Sequence, residues 1–85
     1  MSTVFGMDIN LARDLVRLMT TDADTISQLT ARLTQQLEAT PWTGPDATRF
    51  RGEWSGQYVT ALNNVVTALQ ENAQILTAQA DDQER

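Results

Sequence analysis

The chain is punctuated once, near its middle, by Pro41-Trp42-Thr43-Gly44-Pro45. Proline pushes the preceding residue out of the α region, so a helix arriving from the N-terminal side must stop near Ala39 with Thr40 extended. Gly44 reaches backbone angles closed to other residues and permits a tight reversal. Pro45 is tolerated in the first turn of a new helix, where its missing N–H loses no partner. Thr43 is then the expected N-cap, and Asp46 complements the positive end of the helix dipole. Whatever flanks this turn is two arms joined by a hinge.

Both arms carry helical apolar spacing. In the first, Leu11, Leu15, Leu18 and Met19 are followed by Ala23, Ile26, Leu29, Leu33 and Leu37, which is one stripe on an α-helix. Asp8 is its N-cap, and the helix is predicted over about 8–39. The stretch Thr20-Thr21-Asp22-Ala23-Asp24-Thr25 is poor helix-forming material, yet the stripe keeps its phase through it, so the helix is expected to be continuous. Asp22 and Asp24, two apart, do not face each other and make a poor metal pair.

The second stripe runs Ala47, Phe50, Trp54, Tyr58, Leu62, Val65, Leu69, Ala73, Leu76 and Ala80, and predicts a helix over about 45–80. Phe50, Trp54 and Tyr58 stack at helical spacing as core, and Asp46, Arg49 and Glu53 can pair along the surface. Gly52 and Gly56 flank Trp54, each costing about 1 kcal/mol against alanine, and leave room for another backbone. Residues 81–85 read as a polar tail that frays, and residues 1–7 as a loose lead-in. Trp42 is the residue the turn itself does not need. Its large apolar side chain should fold back to seal the end of a bundle, or fill a groove on a partner.

The fold class is therefore all-α, an antiparallel two-helix hairpin forming a single domain over 1–85. Two helices share one face only and cannot surround a core, so the hairpin needs a partner, either a copy of itself or another chain. The core and interface set is Leu11, Leu15, Leu18, Ile26, Leu29, Leu33 and Leu37 with Phe50, Trp54, Tyr58, Leu62, Val65, Leu69 and Leu76.

Composition removes several function classes. With no cysteine and no histidine, the chain lacks thiolate and imidazole ligands and the commonest general base at neutral pH. Ser2, Ser27 and Ser55 have no histidine or lysine to activate them, because all six basic residues are arginine. No glycine-rich phosphate loop is present. The expectation is a protein that is not an enzyme and uses no cofactor and no metal. The formal charge of −5 offers no basic face for nucleic acid and argues against docking on anionic lipid. No apolar run is long enough to span a bilayer, and Met1-Ser2-Thr3-Val4-Phe5-Gly6 carries no basic residue ahead of an apolar segment, so no cleavable signal peptide is read.

The chain resembles the WXG family of small helical-hairpin type VII secretion proteins, the group that includes the early secreted antigenic target proteins. The resemblance rests on Trp42-Thr43-Gly44 between two long helices, followed by Ala47, Phe50 and Trp54 at helical spacing. Trp54-Ser55-Gly56 also matches Trp-x-Gly but falls inside a helix. Membership implies a four-helix bundle of two hairpins, as a homodimer or with a sister WXG protein. It also implies a secreted or cell-surface destination by a Sec-independent route, from the cytoplasm, through a complex driven by a secretion ATPase. Trp42 and Gly44 are the turn motif that the resemblance marks.

One departure bears on this. Many family pairs carry Tyr-x-x-x-Asp/Glu just after the second helix, whereas here the only tyrosine is Tyr58, and the fourth residue after it is Leu62. Either the chain is truncated, or a partner supplies the signal, or the protein is not itself exported. The expected function is a non-catalytic type VII (ESX-like) secretion substrate or co-substrate acting as a dimeric bundle. The alternative is a non-secreted helical adaptor or targeting partner for a larger toxin. A membrane-active protein is a third reading, which an acidic chain with its apolar stripes committed to a bundle supports least.

Overall fold

The structure is a computed structural model that describes residues 7–85. Of the lead-in expected over 1–7, residues 1–6 lie outside the described residues, and so does the N-terminal stretch searched for a signal peptide. Among the described residues three α-helices and one π-helical turn follow in order: α1 (Ile9–Ala39), α2 (Pro45–Glu53), the π-turn (Trp54–Tyr58) and α3 (Val59–Glu84). The last three form one continuous arm that folds back antiparallel on α1. The result is a rod with extents of 64 × 18 × 13 Å.

Local chemistry accounts for the ends of α1. Asp8 is extended and its carboxylate accepts from the Leu11 N–H at 3.1 Å, satisfying one of the free donors of the first turn. At the other end Thr40 is extended (φ −90, ψ 124) ahead of Pro41. The helix runs unbroken through Thr20–Thr25, where the Thr20 and Thr25 hydroxyls donate to the carbonyls of Val16 and Thr21.

The reversal differs in one detail from the sequence reading. Gly44, not Thr43, is the N-cap of α2, with no side-chain cap. Its φ of 120 and ψ of 175 lie in a region essentially confined to glycine, and its carbonyl accepts from the Thr48 N–H at 3.0 Å. Pro45 occupies the first turn, as its missing N–H permits.

The seam between the arms is narrow and built mostly from small residues. Ala12, Ala23, Thr30, Ala47, Val66, Ala73 and Ala80 are buried, Ala23 and Ala47 to 1% exposure and Ala80 to 0%. Small side chains at the contact let two helix axes come close. Among the described residues no large side chain is fully buried, as expected where two helices meet along a single line.

Two features fall outside the sequence reading. First, the second arm stays helical to Glu84 rather than fraying from residue 81. Arg13 of α1 bridges Asp81 at 2.9 Å and also Glu84, which ties the last turn to the other arm. Second, the second arm contains the π-turn, where the Val59 N–H donates to the carbonyl of Trp54, five residues back. The apolar positions Phe50, Trp54, Tyr58 and Leu62 are spaced by consecutive fours. On a regular α-helix each such step drifts by about 40°. The wider turn takes up part of that drift and keeps Trp54 and Leu62 on the same side of the hairpin.

Candidate protein–protein interface

The apolar residues of α1 form two adjacent rows. One is the seam: Ala12, Val16, Met19, Ala23, Ile26, Thr30 and Leu37, all buried or half-buried. The other lies one step round the helix: Leu11, Leu15, Leu18, Asp22, Ile26, Leu29 and Leu33. Its leucines are open to solvent, Leu11 to 65%, Leu18 to 57% and Leu29 to 47%. The second arm repeats the arrangement. Leu62, Leu69 and Leu76 are half-buried at the edge of the seam, while Tyr58 and Val65 stand outside it.

Both outer rows lie on the same face of the hairpin. A groove of about 160 Å³ on that face is lined by Leu29 and Leu33 from α1 and by Trp54 and Leu62 from the second arm. The opposite groove, of about 520 Å³, is lined by the polar residues Thr20, Gln70, Gln74, Thr77 and Asp81 with Val16 and two alanines. One broad face therefore carries leucines and aromatic rings, and the other, wet face carries mostly polar residues and alanines. Of the core and interface set, Leu11, Leu15, Leu18, Leu29, Leu33, Tyr58 and Val65 are exposed in the single chain. The remaining members, Ile26, Leu37, Phe50, Trp54, Leu62, Leu69 and Leu76, are half-buried.

An aromatic ladder continues the face to the turn. Phe50 lies between Trp42 (centroids 6.3 Å), Trp54 (6.3 Å) and Tyr58 (6.5 Å), in tilted arrangements that suit the ring quadrupoles. Trp54 is anchored by its indole N–H, which donates to the Thr34 hydroxyl at 2.9 Å. Trp42 does fold back on Phe50, but it remains 40% exposed and seals the end only in part.

The turn is held by a residue that periodicity did not single out. The Arg51 guanidinium donates to the carbonyls of Leu37 at 3.0 Å, Thr40 at 2.8 Å and Trp42, and lies 5.7 Å from the Trp42 ring centroid. Carbonyls at a helix C-terminus lack intrahelical partners, and here an arginine from the other arm supplies them. An arginine nearly two turns after a helix start, facing the end of the preceding helix, was the available signal.

Arg49 pairs with Asp46 at 3.1 Å and approaches Glu53 at 3.9 Å, both exposed contacts of small energetic weight. Arg13 is held more firmly protonated than a free arginine, first by its hydrogen bond to Asp81 and then by that to Glu84. Asp22 has no ion pair or hydrogen bond among the described residues, although it sits within the row of leucines.

Among the described residues no group of three or more acidic side chains is placed to hold a metal. The Ser55 hydroxyl donates to the Arg51 carbonyl at 3.0 Å, with no base beside it. Gly52 and Gly56 sit on open surface, with nothing within 4 Å of where a Cβ would stand. The room they leave is not filled by the hairpin's own backbone. No helix is long and apolar enough to cross a membrane among the described residues. Comparison with known proteins adds no relative: no family model, no curated protein and no solved structure matches the chain.

Proposed function

We propose that this chain is a non-catalytic interaction module whose apolar face docks a second helical hairpin, completing a four-helix bundle. The observation that carries this is the row Leu11, Leu15, Leu18, Leu29 and Leu33 lying open on one face beside Tyr58 and Val65. Monomeric soluble proteins seldom expose a contiguous apolar patch of this kind, and such patches mark interaction sites. Burying it against an equivalent face supplies the core that one hairpin lacks.

The biological setting we propose follows from the resemblance of the Trp42-Thr43-Gly44 hairpin to the WXG family. The chain is a small type VII secretion substrate or co-substrate, partnered by itself or by a sister WXG protein. It is delivered from the cytoplasm to the outside by a Sec-independent route through the secretion ATPase. A second reading, a non-exported adaptor or targeting partner for a larger toxin, is favoured by one observation. Tyr58 belongs to the aromatic ladder, and Leu62, not an acid, stands four residues after it. Neither reading calls for nucleic acid, membrane, metal or cofactor.

The test is export. The tagged chain is expressed in cells with a type VII apparatus, with and without its ATPase. The first reading predicts ATPase-dependent appearance in the medium. Retention in the cell with intact hairpin pairing would favour the adaptor.

A further inference from the structure

The exposed row of α1 is symmetric about its one polar member. Its positions are Leu11, Leu15, Leu18, Asp22, Ile26, Leu29 and Leu33. Reversed end to end, Leu11 falls on Leu33, Leu15 on Leu29, Leu18 on Ile26, and Asp22 on itself. An in-register parallel pairing also places each residue on its own copy. Any two-fold pairing of α1 on α1 in full register therefore brings two Asp22 carboxylates together at the middle of an apolar seam. Two carboxylates in such a site cannot both stay ionised without large cost.

The second arm adds an amide on its facing stretch. Arg13 contacts Asp81 across the seam. Antiparallel helices keep the sum of facing residue numbers nearly constant, and the Arg13–Asp81, Arg13–Glu84 and Trp54–Thr34 contacts set residues 66–75 opposite Asp22, a stretch that includes Asn72. Asn72 is exposed, and its side chain donates to its own helix at the Ala68 carbonyl, 2.8 Å away. At mid-length the apolar face thus carries one carboxylate, with an amide on the facing stretch of the second arm. Asp46 and Glu53 have Arg49 as their partner, whereas Asp22 has no ion pair or hydrogen bond among the described residues.

We infer that the occupant of this face is a different helical chain rather than a second copy, and that it presents an arginine or lysine to Asp22 at the middle of its own apolar row. An arginine suits this pair well, because its fork can donate to the Asp22 carboxylate and to the Asn72 side-chain oxygen together. The leucines supply the area and Asp22 selects the partner, since one unpaired charge at the centre of an otherwise matching surface penalises self-association. This inference rests on the docking reading above.

The experiment uses the chain and its Asp22→Arg variant, a probe carrying the complementary charge. Asp22 is exposed, so the hairpin contacts do not depend on it. Circular dichroism checks helix content, and light scattering follows molar mass on dilution for each chain alone and for an equimolar mixture. The expected result is a one-to-one complex in the mixture that persists to about a hundredfold lower concentration than any self-association of either chain. A wild-type homodimer as tight as the mixture would overturn the inference while leaving the docking reading in place. It would mean that α1 packs on the copy's α3, where Asp22 meets Asn72. Absence of association in all three samples would overturn the docking reading itself, and this inference with it.

Discussion

Replacing Arg51 by methionine keeps the aliphatic stem and removes the side-chain hydrogen bonds by which the second arm holds the turn. The guanidinium donates to three carbonyls, those of Leu37, Thr40 and Trp42, and lies over the Trp42 ring. A hydrogen bond from a charged group contributes about 1.5–3 kcal/mol when sheltered. Here Thr40 and Trp42 are exposed and water can replace part of each bond, so about 1 kcal/mol apiece is the appropriate scale. An exposed cation–π contact adds about 0.5 kcal/mol. The expected loss is about 3 kcal/mol. Urea unfolding followed by circular dichroism, at one fixed protein concentration, measures it. With a slope of about 1 kcal/mol/M for a chain this small, the midpoint should fall by about 3 M. Arg51→Lys should recover only about 1 kcal/mol, because one ammonium cannot bridge three separated carbonyls. A methionine variant within about 0.3 M of wild type, with an unchanged slope, would refute the claim that Arg51 organises the turn.

Other substitutions separate the remaining contacts. Trp42→Ala should cost about 2 kcal/mol in the same assay, less than a buried tryptophan, because the ring is 40% exposed; a loss above about 5 kcal/mol would mean that the ring is sealed by something else. Gly44→Ala should destabilise by about 1–3 kcal/mol, since φ 120 strains any side chain, whereas Gly56→Ala meets nothing within 4 Å and should be neutral or stabilise by up to about 1 kcal/mol. Arg13→Met should speed amide exchange in the last turn of α3 and leave the region of the turn unaffected. The raised pKa of Arg13 fixes the sign of its pH dependence. Its contribution is fully present below the unfolded arginine pKa and is lost only as pH rises through the still higher folded value, so exchange at that helix end should show no arginine-linked step across the neutral range.

Local signals in the sequence specify the outline of this fold. Pro41 and Pro45 fix where one helix stops and the next starts, Asp8 caps the first, and the recurrence of apolar residues identifies both arms as helices. What periodicity could not separate was the seam from the flank. Ala23 and Leu29 belong to one apolar stripe in sequence, but a two-helix contact buries only one line. The small residues Ala12, Thr30 and Val66 take it, and the leucines stay outside. The Arg13–Asp81 bridge and the Arg51 clamp depend on residues brought together only by the reversal, so no local pattern announces them. The π-turn did leave a trace, the consecutive steps of four from Phe50 to Leu62, which a regular α-helix cannot keep on one face.

The central claim is that the leucine face, and not the wet face, receives another helical hairpin. The most direct test is methyl NMR on the Asp22→Leu variant, in which the obstacle to self-pairing is removed, recorded over a concentration series. The account predicts concentration-dependent shifts confined to Leu11, Leu15, Leu18, Leu29, Leu33 and Val65, with Thr20 and Ala78 on the opposite face unchanged. Spectra that do not move with concentration, or shifts centred on Thr20 and Ala78, would contradict it.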